Sequence, residues 1–370
     1  MFRCMSYTRC MAQGKTRAVR GATLNAESRR FNLPETEADG EWLDARDTVD
    51  GVPPPLRTSV TIEHARTIIT RNQSPDVPFD RSINPYRGCE HGCIYCFARP
   101  SHAFHDLSPG LDFETKLFAK PDAATLLRAE LAKPSYACAP IALGTNTDPY
   151  QPIETEWRIM RGILDVLSGC DHPLVITTKS DRVVRDIDLL APMAAKGLVA
   201  VAISVTSLVP RVAMTVEPRA PAPERRLAAV RKLTDAGIPT YVNMAPVIPA
   251  ITDDEVEAIV ARAAEAGALG VSYIPVRLPW EVAPLFRAWL DTHFPERAGK
   301  VMSIVQSLRG GKDNDPRFGM RMKGQGPWAD LLRTRFRIAR AKHGFSDDRR
   351  RLNLRTDLFH RPAGVQGELF

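Results

Sequence analysis

The stretch Asn84-Pro85-Tyr86-Arg87-Gly88-Cys89-Glu90-His91-Gly92-Cys93-Ile94-Tyr95-Cys96-Phe97 constrains this chain more than any other. Its cysteines are spaced C-x3-C-x2-C. Thiolates so close in sequence can converge on one soft metal centre, and iron–sulfur clusters and zinc are the usual occupants. Gly88 and Gly92 carry no Cβ, so the backbone can fold tightly around such a centre. No fourth cysteine lies nearby. Three thiolates on a cubane cluster leave one iron open to another ligand. The spacing equally admits a structural zinc ion with His91, His102 or His105 as fourth ligand.

The rest of the chain says what this loop is attached to. Short apolar strands alternate with amphipathic helices. Strands are expected at 81–86, 137–144, 174–178, 198–206, 240–247 and 270–275. Helices are expected at 154–167, 181–196, 223–236 and 253–266. Ser180 and Thr252 are placed as caps, and Gly197, Gly237 and Gly267 as stops. Repeated βαβ units of this kind build parallel sheets with right-handed crossovers. Six of them suit an open doubly wound sheet or a partial barrel, and in both the chemistry gathers at the C-terminal ends of the strands. The cysteine loop follows the first strand and so belongs at that rim.

Residues 1–56 show no period of 2 or 3.6 and read as an unstructured N-terminal tail closed by Pro53-Pro54-Pro55. The barrel occupies 57–280. A helical basic extension follows over 281–345, with helices at 282–292, 297–308 and 328–343 around a loop beginning Arg309-Gly310-Gly311-Lys312. Residues 346–370 read as a mobile C-terminal tail. Charge supports the division. The net charge is +7, yet 296–361 alone carry 17 Lys and Arg against 7 Asp and Glu. A basic C-terminal third on a near-neutral body points to a polyanionic partner such as nucleic acid. No apolar run is long enough for a membrane span, and the start lacks a signal-peptide pattern. Seven cysteines without a disulfide-like pattern suit a reducing cytoplasm.

The polar groups expected at the rim are Thr147 and Asp148 after the second strand, Lys179 after the third, and Ser204 and Thr206 at the fourth. Arg219 lies in the following Pro-rich loop. Each also has a plain structural reading as a turn, cap or strand residue.

The cysteine loop with Tyr95 before its last cysteine resembles the signature of the radical S-adenosylmethionine superfamily. The Thr147-Asp148-Pro149-Tyr150-Gln151-Pro152-Ile153-Glu154 run, the Thr178-Lys179-Ser180 turn and the Arg309-Gly310-Gly311-Lys312 loop resemble the branch holding spore photoproduct lyase and proteins named DNA repair photolyases. The resemblance implies an α/β partial (β/α)6 TIM-like barrel. It implies a [4Fe–4S] cluster on Cys89, Cys93 and Cys96, with S-adenosylmethionine on the open iron. It also implies an external electron donor and a 5′-deoxyadenosyl radical that abstracts hydrogen. Thr147, Asp148, Lys179, Ser204, Thr206 and Arg219 would then hold S-adenosylmethionine, and Tyr95 would be catalytic.

The chain departs from that branch at two points. Phe97 stands where the lyases carry a second tyrosine, and Thr145-Asn146-Thr147 occupies the rim position of their hydrogen-donor cysteine. Cys138 is at the other end of that strand, about 20 Å away. Nucleic acid is the expected substrate, a small molecule or peptide the alternative, and a non-catalytic zinc protein the third reading. Gln366-Gly367-Glu368-Leu369-Phe370 resembles a sliding-clamp-binding peptide, with Gln366, Leu369 and Phe370 as its contacts. The same residues could instead pack back onto the protein.

Overall fold

A computed structural model describes residues 20–25, 28, 30, 57–345 and 353–362. Its strands are β1 (Ser59–Ile62), β2 (Ile69–Arg71), β3 (Arg81–Ile83), β4 (Tyr86–Arg87), β5 (Lys116–Ala119), β6 (Ile141–Leu143), β7 (Leu174–Thr178), β8 (Val199–Ser204), β9 (Thr240–Val247) and β10 (Gly270–Pro275). Six of them, β3-β6-β7-β8-β9-β10, lie side by side and parallel, and β2 adds antiparallel to the free side of β3. Among the described strands β2 and β10 remain unpaired with each other, so the barrel is partial. β8 reads Val-Ala-Val-Ala-Ile-Ser and is buried along its whole length, as expected of a central parallel strand covered on both faces. The α/β partial (β/α)6 barrel expected from the sequence is the observed architecture.

Three expected strands differ, two of them beside a proline. The first is split: β3 joins the barrel, whereas β4 joins a small sheet of order β1-β5-β4. Pro85 lies at the break and has no N–H to extend the ladder. The second begins only at Ile141, after Pro140. The fourth is shorter, β8 spanning Val199–Ser204 rather than 198–206. Two expected helices are also interrupted. Arg158 takes a left-handed conformation between Glu154–Trp157 and Ile159–Gly169. Asp181–Asp186 is a 3-10 turn before the helix Ile187–Ala195. Fully buried Asp186 sits at that change and accepts from Tyr150 Oη (2.9 Å), Arg161 Nη1 (3.2 Å) and Arg185 Nη2 (3.0 Å).

The C-terminal helices Val282–His293 and Pro295–Leu308 form a second core over the barrel mouth. Phe286, Trp289 and Val305 pack in one cluster with Cys93, Ile94 and Tyr95, and Trp289 Nε1 donates to Thr215 O at 2.9 Å. The helix Pro327–Lys342 lies along Val256–Glu265, with Arg335 paired to Glu257 (2.6 Å). Residues 353–362, read from sequence as part of a mobile tail, pack beneath the barrel. Arg355 N donates to Gly197 O, His360 N donates to Cys170 O, and the Phe359 ring meets Tyr136 and His172. Gln366, Leu369 and Phe370 lie outside the described residues. No helix among the described residues is long and apolar enough to cross a membrane.

Candidate active site

The cysteine loop leaves β4, and its folding is governed by contacts distant in sequence. Cys89 N donates to Phe113 O at 2.9 Å. Gly88 and Gly92 have φ of +71° and +66°. A Cβ on Gly88 would lie 2.5 Å from Leu117 Cδ2, and one on Gly92 would lie 2.7 Å from Glu114 Oε2, so glycine is required at both. Gln151 staples the loop: its Oε1 accepts from Glu90 N (2.8 Å) and its Nε2 donates to Gly88 O (3.2 Å).

Arg99, three residues beyond the last cysteine, is fully buried and serves as the hub of the loop. It donates to Cys93 O (2.9 Å), Gly92 O (3.1 Å), Pro109 O (3.1 Å), Gly110 O (2.9 Å) and Glu114 Oε1 (2.5 Å). Glu114, equally buried, also accepts from Gly21 N (2.9 Å) and Ala22 N (2.8 Å). Residues 20–22, assigned from sequence to an unstructured tail, thus lie against the cysteine loop. The physical reason is a buried carboxylate with acceptor capacity to spare.

Cys89 and Cys93 are buried and Cys96 is half-buried. Burial pushes the Cys93 thiol up to about 12 and raises Cys89 as well, with the neighbouring cysteines adding to the Cys89 shift. Bare thiolates are therefore unfavourable here, and a cationic centre would reverse that preference. Among the described residues no group of three or more His, Cys, Asp or Glu is disposed around a single ion. A cubane differs from one zinc ion in spreading three thiolates over separate irons, and three cysteines of one loop, two buried and one half-buried, without a fourth fit that group.

The remaining rim residues form three knots. In the first, buried Glu217 accepts from Tyr95 Oη, from Thr206 Oγ1 at 2.7 Å, and pairs with Arg226 at 2.5 Å. Lys179 Nζ sits 5.7 Å from the centre of the Tyr95 ring. Burial alone would lower the Lys179 ammonium, but Cys93, Glu217 and Asp148 hold it above its usual value. Burial would likewise raise Glu217, yet Arg226 and Lys179 keep it low. Ser204, also buried, contributes its carbonyl to Arg226 Nη1 at 3.1 Å.

In the second knot, Asp148 accepts from Thr178 Oγ1 (2.6 Å), Lys179 N (2.7 Å) and Tyr150 N (2.9 Å), and His91 Nδ1 lies 3.3 Å away. Burial opposes its charge, but His91, Thr178 and the Lys179 N–H drive its pKa far below the usual carboxylate range. Thr147 Oγ1 donates to Tyr86 O at 3.0 Å, tying this turn to β4. In the third knot, Arg219 donates to Glu90 Oε1 at 2.9 Å and its N–H to His91 O. Tyr95, Lys179 and Thr206 are thus brought together beside Cys93, Asp148 joins them through Lys179, and Thr147 and Arg219 brace the loop from either side. Sequence reasoning missed Arg99, Glu114, Gln151, Glu217 and Arg226 as parts of this site. Arg99 is a lone charge in Phe97-Ala98-Arg99-Pro100, which carries no local signal of its role.

A three-cysteine loop thus stands at the C-terminal rim of six parallel strands, ringed by buried polar side chains, where the chemistry of such barrels gathers. The Radical SAM superfamily family model matches residues 83–263. An uncharacterised protein of Mycobacterium tuberculosis is 38% identical over 232 residues, covering 62% of this chain and 68% of that protein. An uncharacterised protein of Methanocaldococcus jannaschii is 29% identical over 173 residues, covering 47% and 62%. Spore photoproduct lyase in complex with a dinucleoside spore photoproduct superposes with a TM-score of 0.54 at 15% identity, over 77% of this chain and 79% of that one. The chain belongs to the radical SAM superfamily. It is a radical SAM enzyme, and its cofactors are those of the family, a [4Fe–4S] cluster and S-adenosylmethionine.

Proposed function

We propose that this enzyme acts on nucleic acid, with Cys89, Cys93 and Cys96 holding the cluster. When bound, the cluster and S-adenosylmethionine supply reductive sulfonium cleavage and a 5′-deoxyadenosyl radical that takes hydrogen from the substrate. In this reading Lys179, kept cationic by its neighbours, attracts the carboxylate of S-adenosylmethionine. Ser204 and Thr206 line the same side, and Asp148 fixes the Lys179 backbone. Glu217 holds the Tyr95 phenol in place beside them. Arg219 and Thr147 keep the loop in register.

The observation that carries the substrate reading is the seat of the basic loop. Buried Arg309 donates to Val276 O (2.9 Å) just beyond β10 and to Arg321 O (3.0 Å), which fastens 309–323 to the barrel rim. Exposed Lys312 and Lys323 are thereby presented next to the mouth, where a phosphate backbone would pass. The hydrogen relay of spore photoproduct lyase is not reproduced, because Phe97 cannot relay a hydrogen atom and the β6 rim has no cysteine. The test is hydrogen origin: reduced enzyme and S-adenosylmethionine are incubated with deuterated DNA or RNA, and 5′-deoxyadenosine is analysed by mass spectrometry. Deuterium in the product supports the reading. Unlabelled product with either nucleic acid overturns it in favour of a small-molecule or peptide substrate.

A further inference from the structure

Four phenylalanine or tryptophan rings stand exposed among the described residues: Phe97 (46%), Phe104 (68%), Trp280 (65%) and Phe318 (57%). Scattered exposed apolar residues are ordinary, but these four share a feature. Each has an arginine guanidinium over its ring. Arg30 lies 4.8 Å from the Trp280 ring centre and 5.9 Å from that of Phe104. Arg277 lies 5.2 Å from Phe97, and Arg321 lies 4.6 Å from Phe318. All four belong to segments at the barrel mouth. Phe97 and Phe104 follow the last cluster cysteine, Trp280 follows β10, and Phe318 is in the loop that Arg309 fastens to the rim.

Two further observations separate this from incidental exposure. Trp280 has φ of +46°, a conformation that bulky residues rarely adopt and that collects at functional sites. The chain thus accepts both backbone strain and an exposed indole at one position. Arg277 makes no hydrogen bond or ion pair among the described residues. Burial and the nearby Arg321 both oppose its charge, and Asp76 offsets them only in part. A second anion beside Arg277 would be welcome. Phe318 also lines a cavity of about 460 Å³ with Pro75, Asp76, Gly319, Met322 and Lys323.

We propose that these rings form two stacking stations for unpaired bases, Trp280 and Phe104 around Arg30, and Phe97 and Phe318 beside Arg277 and Arg321. The partner is single-stranded nucleic acid, its bases against the exposed rings and a phosphate against Arg277. This rests on the nucleic-acid reading above and names the form of the substrate. A duplex offers only phosphates and groove edges, whereas every unpaired base offers a π-face to an exposed ring. The guanidinium behind each ring orders it before binding and adds cation–π attraction.

The experiment measures anisotropy of a labelled single-stranded oligonucleotide, the matching duplex, and labelled polyphosphate on the full chain, with Trp280→Ala, Phe104→Ala and Trp280→Phe. The expected result is tighter binding of the single strand than the duplex. Each alanine variant should weaken single-strand binding about 5- to 150-fold, the range of one base–aromatic stack. Polyphosphate binding and thermal unfolding should be unchanged, and Trp280→Phe should recover much of the loss. Equal affinity for single strand and duplex, or alanine variants that bind the single strand as the parent does, would overturn the stacking stations alone. No binding of any nucleic acid at low salt would remove the underlying reading as well.

Discussion

Replacing Arg99 with methionine should dismantle the cysteine loop without touching a cysteine. The side chains have similar length, so the substitution removes charge and donors while leaving most of the volume. It strips five donated hydrogen bonds, two of them to the carbonyls of Gly92 and Cys93 inside the cluster motif. It also strands Glu114, which is completely buried. Breaking a buried ion pair from one side costs about 3–5 kcal/mol. That is a large share of a stability on the order of 5–15 kcal/mol, and at about 2–4 °C per kcal/mol it lowers the unfolding midpoint by on the order of 10 °C. The assay pairs a thermal melt with iron and sulfide analysis of anaerobically purified protein. The expected outcome is a lower melt together with substoichiometric iron. Arg99→Met combined with Glu114→Gln should recover part of the stability, because the stranded charge is gone, but not full iron content, because the loop carbonyls still lack their donor. Full cluster occupancy and an unchanged melt in Arg99→Met would refute the claim that this arginine builds the loop.

Lys179→Ala should weaken S-adenosylmethionine binding by roughly 10- to 150-fold, the loss of one charge-assisted hydrogen bond, while cluster content stays intact. Titration of reduced enzyme checks this, and unchanged affinity would return Lys179 to a purely structural role. His102 and His172 are buried and their pKa values fall from 6.5 to about 4, chiefly by burial. Both are neutral when folded, whereas the unfolded chain takes up a proton below pH 6.5. The stability they contribute is therefore complete above pH 6.5 and lost as the pH falls towards 4, by about 2 kcal/mol each between pH 7 and 5. Denaturant unfolding at the two pH values measures it, and a flat profile would contradict it. Lys312→Ala and Lys323→Ala should each reduce the log–log salt slope of nucleic-acid binding by about 1. Filter binding between low and physiological salt reads the slope, and an unaltered one would move the phosphate path elsewhere.

The barrel was legible where local chemistry and tertiary position agree. Expected strands at 174–178, 240–247 and 270–275 coincide with β7, β9 and β10, because β-branched apolar runs bounded by Gly and Pro leave few alternatives. The Ser180 cap is present, its Oγ accepting from Arg182 N. The breaks at Arg158 and Asp186 were not legible: buried Glu154 beside the first accepts from Tyr86 and Arg185, and Asp186 at the second from Tyr150 and Arg161, partners tens of residues away. The same limit applies at the site. Cysteine spacing is a local signal, but the Arg99–Glu114 hub spans 15 residues, Gln151 reaches back 61 to Glu90, and Tyr95 reaches 122 forward to Glu217. Exposure of Phe97, Phe104, Trp280 and Phe318 has no sequence signature, because an aromatic residue is by default expected inside.

The most direct test of radical chemistry is formation of 5′-deoxyadenosine by anaerobically purified protein given S-adenosylmethionine and a low-potential reductant. 5′-Deoxyadenosine and methionine are expected in equal amounts from the parent, from Cys138→Ala and from Cys170→Ala. None is expected from Cys89→Ala, Cys93→Ala or Cys96→Ala, each of which also loses the brown iron chromophore. A colourless parent that carries zinc and leaves S-adenosylmethionine intact, or a Cys96→Ala protein that still cleaves it, would contradict the account.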